Sequence, residues 1–449
     1  MTTSAYWVRI LPSFIRRKIE KRTNLLEIIS NIGWLFFDKI FRMGVGVFVG
    51  VWIARYLGPA QFGLLNYATA FIALFTAIAT LGLNGIVVRD LIVEPGKAPS
   101  TLGTAFALQI IGGLLAFGLA VACVGFLRPH EHLAKIMIVV LGAGMMFKAT
   151  EVVKYWFEAK VQAKYGVWVE NGAFLVFALV KVSLLVRGAQ LMAFVWAAFA
   201  EGVLVAAGLL AVYVLNGQKL SIWRYRYKRA KGLLSDSWPL ILSGLAVMVY
   251  MRVDQIMLGQ MLGDEAVGIF SAAVRLSEIW YFIPVAICAS VFPAIIEARR
   301  NSVELYYLRL KKLFELMVLM AVAVAIIMSF ISDWVVNLLY GPGYQAAAPV
   351  LVIHIWTGIF VFLGVASSRW FIAENLQRYS FYRTLAGGIA NVILNFILIP
   401  KYGVTGSAWA TVISQAVASV FFNAANKETR IIFSMQIKAI IGISFFHKS

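Results

Sequence analysis

The chain has 449 residues, of which 61% are hydrophobic and only 14% charged, and its mean hydropathy is +0.84. No soluble domain of this length carries so apolar a surface, so the composition excludes a cytosolic protein and describes a polytopic membrane protein. The net charge is +19, and the two cysteines, Cys123 and Cys288, have no CxxC or histidine neighbour; neither a disulfide framework nor a metal site is suggested, and both read as small core residues.

In chain order, residues 1–28 form a basic segment. Within it WVRILPSFIRRKIEKR (7–22) lacks a small-residue cleavage site, and it is expected to be retained as an interfacial helix on anionic headgroups. Twelve apolar stretches of spanning length follow, at 29–54, 62–86, 101–127, 134–157, 168–186, 190–215, 238–262, 266–296, 313–339, 347–372, 381–400 and 404–424. A spanning helix needs about 20 apolar residues. These runs are apolar at consecutive positions, as in FIALFTAIATLGL (71–83), whereas barrel strands would alternate. The expected fold is therefore an all-α polytopic membrane protein. It has an N-lobe (29–215), a basic cytoplasmic linker (216–236), a C-lobe (237–424) and a cytoplasmic tail (425–449). The end of that tail, 431–449, is amphipathic and too short to span, and is expected on the inner surface.

Basic residues set the orientation. On the side of the amino terminus lie 27 Lys and Arg residues; the opposite side has five, Arg55, Arg128, Lys135, Arg187 and Lys401. The positive-inside rule places both termini in the cytoplasm. The cluster RYRYKRAK (224–231) is then a topogenic linker, and no nucleic-acid partner is expected.

The first outward turn, LGPAQFGLLNYA (57–68), recurs 205 residues later as LGDEAVGIFSAA (262–273). FEAKVQAKY (157–165) meets FIAENLQRY (371–379) at an offset of 214, and VWA (195–197) meets AWA (408–410) at 213. Matching helices are six apart, so the halves enter the membrane in the same sense. That implies two pseudo-twofold-related six-helix lobes around a central cavity, the geometry of a transporter.

Eight basic residues fall more than two residues inside predicted spans: Lys39, Arg42, Lys148, Lys154, Lys181, Arg252, Arg275 and Arg369. Each charge at the bilayer centre costs about 2.5–3.5 kcal/mol on insertion scales. Asp38 can bridge to Arg42 at i,i+4, and Lys148, Glu151 and Lys154 form a second internal set. Arg275 and Glu278 can pair at i,i+3, while Asp254 lies about 200° around the helix from Arg252. Lys181 and Arg369 have no acid within one turn and must find partners elsewhere. The acids Asp38, Glu151, Glu201, Asp254 and Glu278 do not balance the bases, and a cationic, water-filled cavity facing an anionic cargo accommodates the remainder. Phosphate or pyrophosphate suits such a site, because Arg offers bidentate donors and Lys a point charge. Substrate binding is assigned to Lys39, Arg42, Lys148, Lys181, Arg252, Arg275 and Arg369. Candidates for ion coupling are Asp38, Glu201, Asp254 and Glu278, with His354 as a further proton carrier; a buried acid or His paired to a base is the alternative for each. Gly44, Gly46 and Gly50 are expected to admit a neighbouring backbone.

No GxxxxGK[ST] is present, so ATP is not the energy source, and no cofactor is implied. HEH (130–132) sits in a short charged turn and is not read as a ligand set. Short outward loops leave no room for a catalytic domain, so no catalytic residue is assigned and the protein is not expected to be an enzyme.

WIARYLGPAQFGLLNYA (52–68), LGLNGIVVRDL (81–91) and VYMRVDQIMLGQMLGDEAVGIFSAAVRLSEIWYFIP (249–284) resemble bacterial polysaccharide repeat-unit flippases, Wzx type, of the multidrug/oligosaccharidyl-lipid/polysaccharide exporter superfamily. The resemblance covers roughly residues 25–425 and includes Arg252, Asp254, Arg275 and Glu278. It implies transfer of an undecaprenyl-pyrophosphate-linked oligosaccharide, such as an O-antigen unit for lipopolysaccharide, to the periplasmic leaflet of the inner membrane by alternating access. Membrane lipid, a polysaccharide polymerase and its chain-length machinery would be the partners. Two alternatives stand beside it: a cationic-drug exporter of the same superfamily, which needs an acid-rich cavity, and a membrane glycan polymerase or ligase.

Overall fold

The structure, a computed structural model, describes the backbone of residues 23–442 and the side chains from Arg42 onward, except those of Pro293 and Asn301. The expected interfacial helix at 7–22 and the side chains of Asp38 and Lys39 lie outside the described residues.

A backbone in hydrocarbon must satisfy its own hydrogen bonds, and among the described residues the chain is helical throughout, without a strand. Helix α1 is Thr23–Thr80, α2 Asn84–Val93, α3 Ala98–Leu127 and α4 His132–Ala143, which a 3₁₀ turn, Gly144–Glu151, joins to α5, Val152–Ala159. Next come α6 Lys164–Val186, α7 Leu191–Leu215, α8 Tyr227–Met261, α9 Asp264–Glu278 and α10 Phe282–Asn301. The last five are α11 Val303–Tyr340, α12 Ala347–His354, α13 Thr357–Ala373, α14 Gln377–Ser419 and α15 Arg430–Ile441. Ten helical stretches among the described residues are long and apolar enough to cross a membrane. Two of them are interrupted by a residue with non-helical backbone, Gly58 in α1 and Gly403 in α14. Counting each side of these turns separately restores the twelve expected spans.

The chain divides into two compact units. The first takes in Met1–Val49, Thr76–Ala122 and Val139–Ile241; the second takes in Gly50–Phe75, Cys123–Ile138 and Leu242–Ser449. The first is built around Leu83, Val87, Leu102, Val153, Phe157, Leu209 and Leu233, all buried. The basic linker is seated on this unit. The Arg224 N–H donates to the Pro99 carbonyl, and the Trp223 indole donates to the Tyr213 hydroxyl at 3.1 Å. A Cβ at Gly103 would stand 2.5 Å from the Arg224 nitrogen, so only glycine admits the linker there.

In the second unit the sequence repeat becomes a physical contact. Gly58 (φ 72°, ψ 170°) and its repeat mate Gly263 (φ 88°, ψ 179°) share one left-handed, extended conformation that a side chain would strain. Five residues on, a Cβ at Gly63 would fall 1.7 Å from the Asp264 carbonyl oxygen, and one at Gly268 2.0 Å from that of Pro59. Each contact maps onto the other under the 205-residue offset, as residues related by a local twofold must do.

Three expectations are corrected. Cys288 is buried, but Cys123 is exposed; a small apolar residue is equally at home against lipid, so its identity does not report a core position. No backbone packs against Gly44 or Gly46 among the described residues, and Gly50 makes room for a side chain instead. Helix α15 does more than lie on a surface. Ile432 and Ala439 enter the core of the second unit beside Phe314 and Met317, and the Gln436 amide donates to the Ser419 carbonyl at 3.0 Å.

Candidate functional site

In the first unit every described intramembrane base has an acid. Arg42 on α1 donates to Glu170 at 3.3 Å and to the Asn171 carbonyl oxygen at 3.1 Å, both on α6. Lys154 on α5 reaches the same Glu170 at 2.6 Å. Lys148 closes on Glu151 at 2.9 Å, the i,i+3 pair legible in the sequence. Lys181, which has no acid within a turn, finds Glu201 on α7 at 2.7 Å. Three substrate-binding assignments, Arg42, Lys148 and Lys181, and one ion-coupling candidate, Glu201, thus sit in ion pairs.

The second unit is different. Arg252 on α8, Arg275 on α9 and Arg369 on α13 are half-buried and make no hydrogen bond or ion pair among the described residues. Glu278 lies within electrostatic range of Arg252 and Arg275 together, yet the i,i+3 pair with Arg275 does not close. One carboxylate therefore serves two guanidinium groups. The Arg275 guanidinium lies against α1: a Cβ at Gly50 would meet its Nη1 at 1.8 Å, and the Phe62 ring is 5.4 Å away. Arg369 lies within electrostatic range of Cys288.

Asp254, two residues after Arg252, is 5% exposed and faces only neutral partners. The Asn395 amide donates to one of its oxygens at 2.6 Å and the Thr411 hydroxyl to the other at 3.1 Å. Asn391 and Ser407 flank it, and the Asn395 side-chain oxygen is buried without a partner. A lone carboxylate ringed by amide and hydroxyl oxygens suits a proton or a hard monovalent cation. His354 is likewise buried, hydrogen-bonded to the Ser277 hydroxyl at 3.0 Å.

Two arginines escape the sequence analysis. Arg128, assigned to an outward turn, has a side chain only 2% exposed; it bonds Glu131 at 2.6 Å, Asp264 at 2.8 Å and the Gly259 carbonyl at 2.8 Å. Its guanidinium is stacked 3.7 Å from the Tyr67 ring centroid. This fastens the turn after α3 to the ends of α8 and α9 within one unit. Arg383, counted with the cytoplasmic loops, is 6% exposed inside α14 and has no carboxylate among its partners. Its position two residues inside a predicted span was the available signal.

Comparison with known proteins agrees with this architecture. The model of the family described as polysaccharide biosynthesis protein matches residues 28–299. "Probable flippase AglR" of Haloferax volcanii is 24% identical over 393 residues, covering 86% of this chain and 80% of that protein. "Probable low-salt glycan biosynthesis flippase Agl15" of the same organism is 25% identical over 402 residues, again 86% and 80%. Among solved structures, the lipid II flippase MurJ in an inward closed conformation is similar with a TM-score of 0.71 at 15% identity, covering 92% of this chain and 94% of that one. That last likeness is one of fold.

Proposed function

The chain belongs to the polysaccharide biosynthesis protein family, and from that membership we propose that it is a lipid-linked oligosaccharide flippase. In this reading it moves undecaprenyl-pyrophosphate-linked repeat units, O-antigen units among them, from the cytoplasmic to the periplasmic leaflet of a bacterial inner membrane. Both termini face the cytoplasm, the side with 27 basic residues. The units it delivers feed a polysaccharide polymerase and its chain-length machinery.

The observation that carries the proposal is the charge excess of the second unit, where Arg252, Arg275 and Arg369 make no hydrogen bond or ion pair among the described residues and Glu278 lies within electrostatic range of the first two. Bare guanidinium groups at membrane depth are costly unless an anion or water completes them. A diphosphate supplies two adjacent anionic groups, which match guanidinium donors bidentately. Arg252, Arg275 and Arg369 receive it directly. Lys39 is a further candidate, whereas Arg42, Lys148 and Lys181 contribute less because Glu170, Glu151 and Glu201 already hold them. Asp254 takes the coupling cation or proton. No bond in the cargo is made or broken.

Neutralising Arg252 or Arg275 singly should remove surface glycan while the protein stays in the membrane at its normal level. Normal glycan from both variants sinks the assignment. The drug-exporter alternative predicts sensitisation of a deletion strain to cationic drugs with glycan intact. The polymerase or ligase alternative predicts glycan extension by the purified protein in liposomes.

A further inference from the structure

Among the described residues of the second unit, Arg383 and Asp254 are buried charges with only neutral hydrogen-bond partners, and α14 carries the first and bonds the second. Arg383 donates to the Ser367 hydroxyl at 2.8 Å, the Ser368 hydroxyl at 2.6 Å and the Gly364 carbonyl at 3.1 Å, all on α13. Its guanidinium also lies 4.8 Å from the Phe371 ring centroid. On α14, residues 383, 387, 391 and 395 recur every fourth position and so share one face. The 12 residues from Arg383 to Asn395 span about 18 Å of helix axis. Asn391 bonds Ser414 at 3.2 Å, and Asn395 bonds Asp254.

Tyr250 stands between the two charges. It lies one helical turn before Asp254 on α8, within electrostatic range of both Asp254 and Arg383, and its hydroxyl is buried without a partner. Gly387 lets the helices close around it: a Cβ there would meet the Tyr250 ring at 3.2 Å and Ala418 at 2.6 Å. Arg383, Tyr250, Asn391 and Asp254 follow one another along this face as polar groups, with the Tyr250 hydroxyl unpartnered between the two charges, and the row starts at the end of α14 that the orientation assigns to the cytoplasm.

A guanidinium that only tied α13 to α14 would gain nothing from its charge, since a neutral side chain of similar shape makes such bonds without burying an ion. We propose that Arg383 is an electrostatic plug, a fixed positive charge that keeps cations from passing between Asp254 and the cytoplasm along this row. An arginine set in a polar pore is known to exclude protons and cations in this way. The coupling cation then reaches Asp254 from the opposite side only. The inference rests on the reading of Asp254 as the coupling site.

The test uses the full chain in proteoliposomes without glycan lipid, under an imposed membrane potential, with dyes reporting proton and sodium entry. Arg383→Gln should leak about tenfold above wild type, Arg383→Lys should stay tight, and Arg383→Gln with Asp254→Asn should return to baseline. A well-folded Arg383→Gln that stays tight, or a leak that survives Asp254→Asn, overturns the plug. Arg383→Asn covers a misfolded glutamine variant and should leak likewise; a well-folded Arg383→Asn that stays tight overturns the proposal too. Failure of the underlying reading looks different: Asp254→Asn alone would then export glycan at the wild-type rate.

Discussion

The two compact units carry similar numbers of intramembrane bases and treat them in opposite ways. In the first, Arg42, Lys148, Lys154 and Lys181 all end on carboxylates within 3.3 Å. In the second, Arg252, Arg275 and Arg369 have no such bond among the described residues. Counting charges along the sequence treats the two sets alike, and the difference between them separates scaffold from binding capacity. A paired base holds helices together; an unpaired one is held in reserve for an anion that comes and goes.

The strongest way to break this comparison is to neutralise one base of each kind. Arg275→Ala or Arg252→Ala should lower surface glycan about 100-fold or more, the loss expected when a charge-assisted bidentate contact disappears. Lys148→Met should lower it no more than about twofold, because Lys148 already spends its charge on Glu151. Quantitative glycan blots, normalised to membrane protein, read both. Equal losses would erase the distinction between the units.

Next in size is the Lys181–Glu201 pair, which bridges α6 and α7 at 2.7 Å. Lys181→Met or Glu201→Met alone leaves a charge stranded at membrane depth and should cut the detergent-extractable folded protein about tenfold. The double variant, with neither charge, should recover to within about twofold. If the double variant folds well and fails to export, Glu201 acts in coupling as well as in structure.

Gly50→Ala tests the opposite case, a scaffold position that serves a binding group. The added Cβ would meet the Arg275 Nη1 at 1.8 Å, and only the tip of a flexible side chain need move, so the fold should survive. Displacing that tip should reduce export about fivefold, as misplacing a contact group by an ångström does. Full activity would mean that Arg275 binds from some other rotamer.

Span positions were legible because bilayer thickness dictates apolar length, and the Gly58 and Gly263 turns were legible because only glycine adopts that backbone readily. The repeat predicted a relation between halves, and the Gly63–Asp264 and Gly268–Pro59 contacts give it a physical form. Ion pairs within a helix, such as Lys148 with Glu151, follow from 3.6-residue periodicity. Lys181 with Glu201 does not, because it depends on how α6 packs on α7. Arg383 was hidden for a related reason. Its burial comes from Ser367 and Ser368 on α13, and on α14 only its place two residues inside a predicted span sets it apart from a loop base. Arg128 reads as an exposed exception to the charge asymmetry until Asp264, 136 residues on, closes over it.

The smallest effect lies at the edge of the first unit, where its habit of pairing continues outside the membrane. Glu94 accepts from Lys97 at 2.8 Å and from Arg229 of the linker at 3.0 Å, and Arg229 also reaches Asp90 at 3.1 Å. The hydrogen bond from Lys97, helped by the charges of Lys97 and Arg229, holds the Glu94 carboxyl below the usual range. A carboxyl whose folded pKa is depressed stabilises the fold above its unfolded pKa, and that contribution disappears as pH falls through the folded value. Wild type should therefore melt slightly above Glu94→Gln at pH 7, by about a degree or less for so exposed a group. The gap should close between about pH 5 and pH 3, and a gap that stayed constant across that interval would show the linker to be held by Trp223 and the Gly103 contact alone.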